Sequence, residues 1–224
     1  MAWKRPKLAL LGLLALSFAS GALNTQEQRW VDAVQRTYGD RAAQRMYAWR
    51  DVIHSYKGLP ESEQLEAVNR FFNQMNFIDD IHMWGQKDYW ATPLEFIGSA
   101  GGDCEDFTIA KYFSLLELGV PDKKLRLIYV KAIELNQFHM VLAYYSSPSA
   151  EPLLLDNLKY DITRASTRRD LLPIYSFNGT NLWLMKERGA GKLAGKSSRL
   201  SLWNDLRSRE KTLKLNKPII NFDE

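Results

Sequence analysis

Apolar residues recur at helical spacing through the first part of the chain and give way to short strand-like runs in the second. In "RWVDAVQRTYG", Trp30, Val31 and Val34 share one helical face, behind a candidate capping box at Thr25 and Gln28. "RAAQRMYAWRDVIHSY" predicts a second helix that stops at Gly58. "PESEQLEAVNRFFNQM" predicts a third, opened by Pro60 and early acids, with Leu65, Val68, Phe71, Phe72 and Met75 at packing positions. "DYWATPLEFIGSAGG" holds too many turn formers for a long helix. It leads into a helix from about Cys104 to Leu118, ended by Gly119 and Pro121. Along that helix Phe107, Ala110, Leu115 and Leu118 form a stripe that Ile109, Phe113 and Leu116 widen, so most of its circumference is buried and it belongs in the core.

After Pro121 the period changes. "LRLIYVKAI", "FHMVLAYY", "PLLLDNL", "IYSFNG" and "NLWLMK" are short β-branched or aromatic runs between turn residues. Helices first and strands second predict an α+β fold with helices packed on an antiparallel sheet. "RGAGKLAGKSS" reads as a flexible linker before a last short helix in "LSLWNDLRSREKTL". The organisation expected is a main domain over 23–185 and a basic appendage over 186–224.

The first residues change the charge picture. Lys4, Arg5 and Lys7 precede an apolar run from Leu8 to about Ala19, followed by small residues near Gly21 and Ala22. That predicts a secretory signal peptide over 1–22, too short in its apolar run for the ~20 residues that span a bilayer. The mature protein is therefore expected outside the cytoplasm, with no stable membrane insertion. The formal net charge of +4 overstates its basicity, because residues 22–185 hold 17 Lys and Arg against 21 Asp and Glu, and residues 186–224 hold 10 against 5. A basic tail on an exported protein reads as a solvated face, and nucleic acid is not an expected partner.

Cys104 is the one cysteine in 224 residues. Outside the cytoplasm it cannot close an internal disulfide, so it is a buried inert residue, an intermolecular bridge or a reactive thiol. A cysteine nucleophile needs a general base, and a third group that holds the base in the right tautomer. Of three histidines, His54 and His82 read as surface or packing residues, while His139 opens a strand. A hairpin turn centred between Ser147 and Pro148 would set His139 opposite Asp156 on the next strand. Helix-start amides and the helix dipole favour a thiolate at Cys104, and the Cys104 amide is a candidate oxyanion donor.

Three acids, Asp103, Glu105 and Asp106, flank this thiol and oppose its ionisation. They read either as helix-capping acids or as ligands for a hard divalent cation, for which calcium suits an exported site built of oxygen donors. Trp90, just upstream, reads equally as core or as cleft lining.

"YWATPLEFIGSAGGDCEDFTIAKYFSLLELGVP", "FHMVLAYY" and "LLLDNL" together resemble the bacterial transglutaminase-like cysteine proteinases over about residues 25–185, with "GGDCED" the most specific part. The resemblance implies a papain-like or transglutaminase-like core in which Cys104 is the nucleophile, His139 the base and Asp156 its orienting acid. It also implies a calcium-dependent endopeptidase with Asp103 and Glu105, and Asp106 as a third, holding Ca2+. The implied substrate is the N-terminal region of a large surface adhesin cut at a di-alanine site, which releases the adhesin and promotes biofilm dispersal. The implied controlling partner is an inner-membrane cyclic di-GMP receptor that sequesters the protease. A transglutaminase or amidase acting on side-chain amides, and a catalytically silent binding module, remain as alternatives on the same fold.

Overall fold

A computed structural model describes residues 22–185 and 191–223. The signal peptide expected over 1–22 lies outside these residues, save for its last position. No helix among the described residues is long and apolar enough to cross a membrane.

The N-terminal half is a helical layer. Helices α1 (Thr25–Tyr38), α2 (Asp40–Tyr56) and α3 (Glu61–Phe72) bury the predicted stripes, with Val31, Val34, Leu65, Val68 and Phe72 essentially sealed from water. The capping box of α1 falls one residue earlier than the sequence suggested. Asn24 Oδ1 accepts from the Glu27 amide at 3.0 Å, and Glu27 Oε2 accepts from the Asn24 amide at 2.8 Å. The Asn24 amide oxygen caps a helix start as well as a Ser or Thr hydroxyl does, and Glu27 supplies the returning carboxylate.

A two-residue strand, β1 (Asn76–Phe77), is followed by the single turn α4 (Asp80–Met83). The turn-rich stretch then contains a short helix, α5 (Pro93–Ser99), which the sequence reading did not identify. It forms because Thr92 and Glu95 make a capping box around Pro93, and it ends at Ala100 with φ 60°. Strand β2 (Gly101–Gly102) pairs in parallel with β1 and delivers the chain to α6 (Cys104–Leu118). As expected, α6 is buried almost all round and is stopped by Gly119 at φ 102°.

The sheet is seven-stranded and antiparallel: β3 (Leu125–Ala132), β4 (Gln137–Tyr144), β5 (Leu153–Leu155), β6 (Thr163–Arg164), β7 (Leu171–Phe177), β8 (Asn181–Leu184) and β9 (Lys192–Lys196), in the spatial order β6-β5-β4-β3-β7-β8-β9. The α+β expectation therefore holds. Leu125, Leu127, Met140, Leu142 and Tyr144 face the helices, and Ile128, Val130, Val141, Ala143 and Leu154 build a smaller cluster on the other side.

The C-terminal region corrects the sequence reading. "KLAGK" within the expected linker is strand β9, paired with β8, and the following helix α7 (Ser201–Thr212) sinks Trp203 and Leu206 into the main core. Burial does not alternate along this strand, and its lysines and glycine carry no apolar signal, which is why composition alone reads as linker. Residues 186–190 of that stretch lie outside the described residues.

Buried charge ties the helical layer together. Arg50, 1% exposed, donates to Glu27 at 3.0 Å and to Glu117 at 2.8 Å, and its guanidinium lies 4.8 Å from the Trp49 ring centroid. Removing Arg50 leaves the buried Glu27 carboxylate with only the Asn24 amide and His54 as partners. Arg50→Ala is expected to lower the unfolding free energy by about 3–5 kcal/mol, measured by urea denaturation at neutral pH. A change within experimental error would show that these carboxylates find other partners.

Candidate active site

The N-terminal turn of α6 is shaped by Asp106. Its side chain is fully buried; Oδ1 accepts from the Ala91 amide at 2.7 Å and Oδ2 from the Asp103 amide at 3.3 Å. A Cβ on Gly102 would stand 2.1 Å from Asp106 Oδ2, so the second glycine of "GGDCED" is what lets this carboxylate close over the helix start.

Cys104 is the first residue of α6 and is half-buried. Thr108, one turn on, donates to the Cys104 carbonyl at 2.9 Å and to the Met140 carbonyl at 3.0 Å, pinning the helix start to β4 one residue past His139. The thiol itself donates to Glu105 Oε2 at 3.1 Å. Among the described residues it makes no hydrogen bond to His139. Burial first, then the charges of Glu105 and Asp103, push the thiol pKa well up, with the Met140 backbone acting the other way.

His139 and Asp156 are paired. His139 Nε2 lies 2.8 Å from Asp156 Oδ1, and both are buried. The register differs from the expected one. Leu142 faces Leu155 and Tyr144 faces Leu153, so the strands are offset by two residues and regular pairing stops before Asp156. Because the offset is even, both side chains stay on the same face of the sheet and meet diagonally. Asp156 also accepts from the Leu158 amide at 3.0 Å and from Arg168 Nη1 at 2.6 Å. Burial alone would raise its pKa; the hydrogen bonds from His139, Leu158 and Arg168 outweigh it and hold the carboxyl down at about 2. With Nε2 engaged by Asp156, His139 has Nδ1 left for a reacting proton.

Behind this pair lies Lys111, 1% exposed on α6, with Nζ 2.7 Å from Asn73 Oδ1. Asn73 Nδ2 in turn donates to the Asp156 carbonyl at 2.9 Å. Desolvation lowers the Lys111 pKa to about 7.

Carboxylates crowd the other side of the thiol. Asp80, Asp103 and Asp106 form one group, and Asp80, Asp88 and Glu105 another, each with one oxygen per residue within 4.8 Å of the others. Asp80 Oδ1 and Asp103 Oδ1 are buried without a hydrogen-bond partner. Burial, then like charge, raises the pKa of Asp103 and Asp106, and burial raises Asp80 to about 7. Crowded oxygens with unfilled acceptor capacity suit a hard cation with a high coordination number. Asp106 differs from Asp103 and Glu105 in that both its oxygens already take backbone amides.

Of these acids Asp88, Asp103 and Glu105 line a cleft of about 440 Å³, together with Trp90, Cys104, Tyr129, Phe138, Tyr175 and Leu202; Asp80, Asp106, His139 and Asp156 are not part of its lining. Trp90 serves both expected roles: it is 6% exposed, stacks on Phe177 at 5.6 Å and contributes to the cleft wall. His82 is exposed, and His54 is spent on Glu27 at 2.7 Å, as its helical position suggested. Sequence reasoning missed Asp80, Asp88, Arg168 and Lys111. "DDIHMWGQKDYW" did carry an acidic signal, but nothing local ties it to "DCED".

The architecture, a buried cysteine-headed helix laid on an antiparallel sheet, is the transglutaminase-like one used by thiol hydrolases. The chain belongs to the bacterial transglutaminase-like cysteine proteinases, whose family model matches residues 43–186. Among solved structures, EGTA-treated LapG from Legionella pneumophila is 45% identical with a TM-score of 0.73, covering 82% of this chain and 96% of that one. A second L. pneumophila LapG structure is 44% identical with a TM-score of 0.72 and the same coverage. The calcium-bound form is 44% identical with a TM-score of 0.71, covering 82% and 98%. No curated protein sequence matches.

The Asp156 contacts predict a pH dependence. A carboxyl held below its unfolded value of about 3.9 adds stability that is complete above that pH and lost as pH falls through the folded value. Asp156→Asn is therefore expected to flatten the acid limb of the stability curve between about pH 4 and pH 2, by about 2 kcal/mol. Urea midpoints recorded from neutral to strongly acid pH would show it; parallel acid limbs in parent and variant would contradict the pairing.

Proposed function

We propose that the protein is an exported, calcium-dependent cysteine endopeptidase in which Cys104, His139 and Asp156 act as a unit. The observation that carries this reading is the His139–Asp156 pair, 2.8 Å apart and backed by Arg168, beside the helix that Cys104 opens. Cys104 Sγ attacks the scissile carbonyl while His139 Nδ1 takes the thiol proton. The same proton passes to the leaving amine, and water then hydrolyses the thioester. Asp156 fixes the imidazole and stabilises its charged form. The Cys104 amide, at a helix N-terminus, is the proposed oxyanion donor.

Asp103 and Glu105, together with Asp80 and Asp88, would hold calcium, with Asp106 completing the cradle from behind. Support comes from the calcium-bound structure of the L. pneumophila relative and from the unpartnered oxygens of Asp80 and Asp103 here. Calcium, when bound, offsets the carboxylate charge that otherwise disfavours a thiolate. Glu105 is the residue shared between the acid cluster and the thiol. If a bound cation engaged the Glu105 carboxylate, the thiol would be free to meet His139.

The signal peptide over 1–22 is proposed on Lys4, Arg5 and Lys7 and the apolar run after them; the periplasmic location, the adhesin substrate with its di-alanine site, and sequestration by a cyclic di-GMP receptor are proposed on the family resemblance. Cleavage of a surface adhesin's N-terminal region would place the protein in biofilm dispersal.

Incubating the mature protein with the N-terminal region of an adhesin from the same genome tests the reading. Cys104→Ala should reduce cleavage to background while leaving the fold intact, and substantial cleavage by that variant would end the cysteine-protease proposal. His139→Ala combined with Asp156→Asn should be little worse than His139→Ala alone, because residues acting as a unit give non-additive losses. Chelation should stop cleavage, and calcium should restore it better than magnesium, which dehydrates reluctantly and demands octahedral geometry. Full activity after exhaustive chelation would return the acids to helix capping.

A further inference from the structure

The strip Asp88–Ala91 is held from two sides. Facing the acid cluster, the Tyr89 amide donates to Asp80 Oδ2 at 2.5 Å, the Ala91 amide to Asp106 Oδ1 at 2.7 Å, and Trp90 Nε1 to Asp88 Oδ1 at 3.1 Å. From the opposite side comes Arg209 of helix α7, only 5% exposed. Its Nη2 donates to the Trp90 carbonyl at 2.5 Å and its Nη1 to the Tyr89 hydroxyl at 2.7 Å. Nη1 also pairs with Glu95, which is wholly buried and caps α5. The guanidinium lies 4.5 Å from the Tyr89 ring centroid.

The chain beyond α7 continues the grip. Asn216 Nδ2 donates to the Tyr89 hydroxyl at 2.7 Å and its amide to Glu95 Oε1 at 2.9 Å, while the Ile219 amide donates to the Met83 carbonyl at 2.7 Å. Met83 closes the turn that Asp80 opens. Leu200 and Leu202, at the start of α7, line the cleft beside Cys104.

We infer that Arg209, which lies outside the span matched by the family model, is a positioning residue for the reaction proposed above: it fixes the strip whose amides anchor the acid cluster and whose Trp90 walls the cleft. Its planar fork meets a carbonyl, a hydroxyl and a carboxylate at once, which a lysine ammonium cannot reproduce with the same geometry. The inference rests on the calcium and protease reading of the site. It adds that the C-terminal segment from residue 200 onward belongs to that site.

The test compares Arg209→Met and Arg209→Lys with Arg50→Ala, which removes another buried, carboxylate-paired arginine away from the cleft. Calcium affinity is measured by calorimetry, and kcat and KM on a peptide substrate at saturating calcium, all well below the melting temperatures. Loss of a residue that orients ligands from behind is expected to weaken calcium binding about 10–100-fold. Arg209→Met should show that loss and a fall in kcat, Arg209→Lys should recover part of both, and Arg50→Ala should keep the parent's values despite its lower stability. Parent-like affinity and kcat in folded Arg209→Met would overturn the inference, as would an equal loss in Arg50→Ala. A parent that binds no calcium would instead sink the metal reading, and the clamp then stands or falls on kcat alone. Should Arg209→Met fail to fold, Asn216→Ala, which releases the same Tyr89 hydroxyl from a half-buried position, takes its place; unchanged affinity and kcat in that variant would likewise overturn the inference.

Discussion

Asp106 is wholly buried at the first turn of α6, and the way its two oxygens are satisfied organises the surroundings of Cys104. A buried carboxylate is costly unless it is hydrogen-bonded. Here the donors are the amide of its own helix cap, Asp103, and the amide of Ala91 from a separate segment. The first contact fixes where the helix begins and so where Cys104 points. The second draws the strip bearing Trp90 against the helix start. Gly102 leaves room for both, and Arg209 secures the strip from behind. One buried acid thereby joins the nucleophile, the cleft wall and the C-terminal segment.

Much of the fold was legible because its long elements carry strong periodic signals. The stripe on α6, the stop at Gly119, and the β-branched and aromatic runs of β3 and β4 each point to one answer. The short or composition-masked elements were not legible. Helix α5 is seven residues held by a capping box and a proline rather than by an amphipathic face, and β9 shows the sheet only lysines, glycine and two small or apolar side chains. Both exist because neighbours complete their hydrogen bonds, which no local window of sequence reveals. The hairpin register was misplaced by two residues, since the eight residues from Tyr145 to Pro152 admit more than one way of turning. The facing was nonetheless right, because any even shift preserves it.

The site divides along the same line. Cys104, His139 and Asp156 stand out in the sequence as candidates, each at a recognisable place: a helix start, a strand opening and the end of the next strand; the structure pairs the last two. Asp103, Glu105 and Asp106 were visible as an anomaly, acids placed where a thiolate would want cations. Asp80, Asp88, Arg168 and Lys111 were not visible. Arg168 lies only 12 residues past Asp156, yet its role follows from how the chain folds back through β6, and Lys111 looks from sequence like an ordinary surface residue of a helix. Its burial is tolerable because Asn73 accepts from it and Asp156 lies near enough to favour its charge.

Taken together, these placements give the thiol an electrically lopsided environment. On one side stand Asp80, Asp88, Asp103, Glu105 and Asp106; on the other, Asp156 is backed by Arg168 and has Lys111 in its field. Against the cost of burial, hydrogen bonds from His139, the Leu158 amide and Arg168 hold the Asp156 carboxyl below its usual range, so it stays ionised, as the orienting acid of the proposed reaction must. The acid-rich side does the reverse to Cys104, holding its proton on the sulfur through Glu105. In the proposed reaction the His139–Asp156 pair is thus already assembled, while the Cys104 thiol is still held by Glu105. The divalent cation proposed for the acid cluster would change its charge without moving the backbone, because the contacts among Asp106, Ala91, Trp90 and Arg209 already hold the backbone in place.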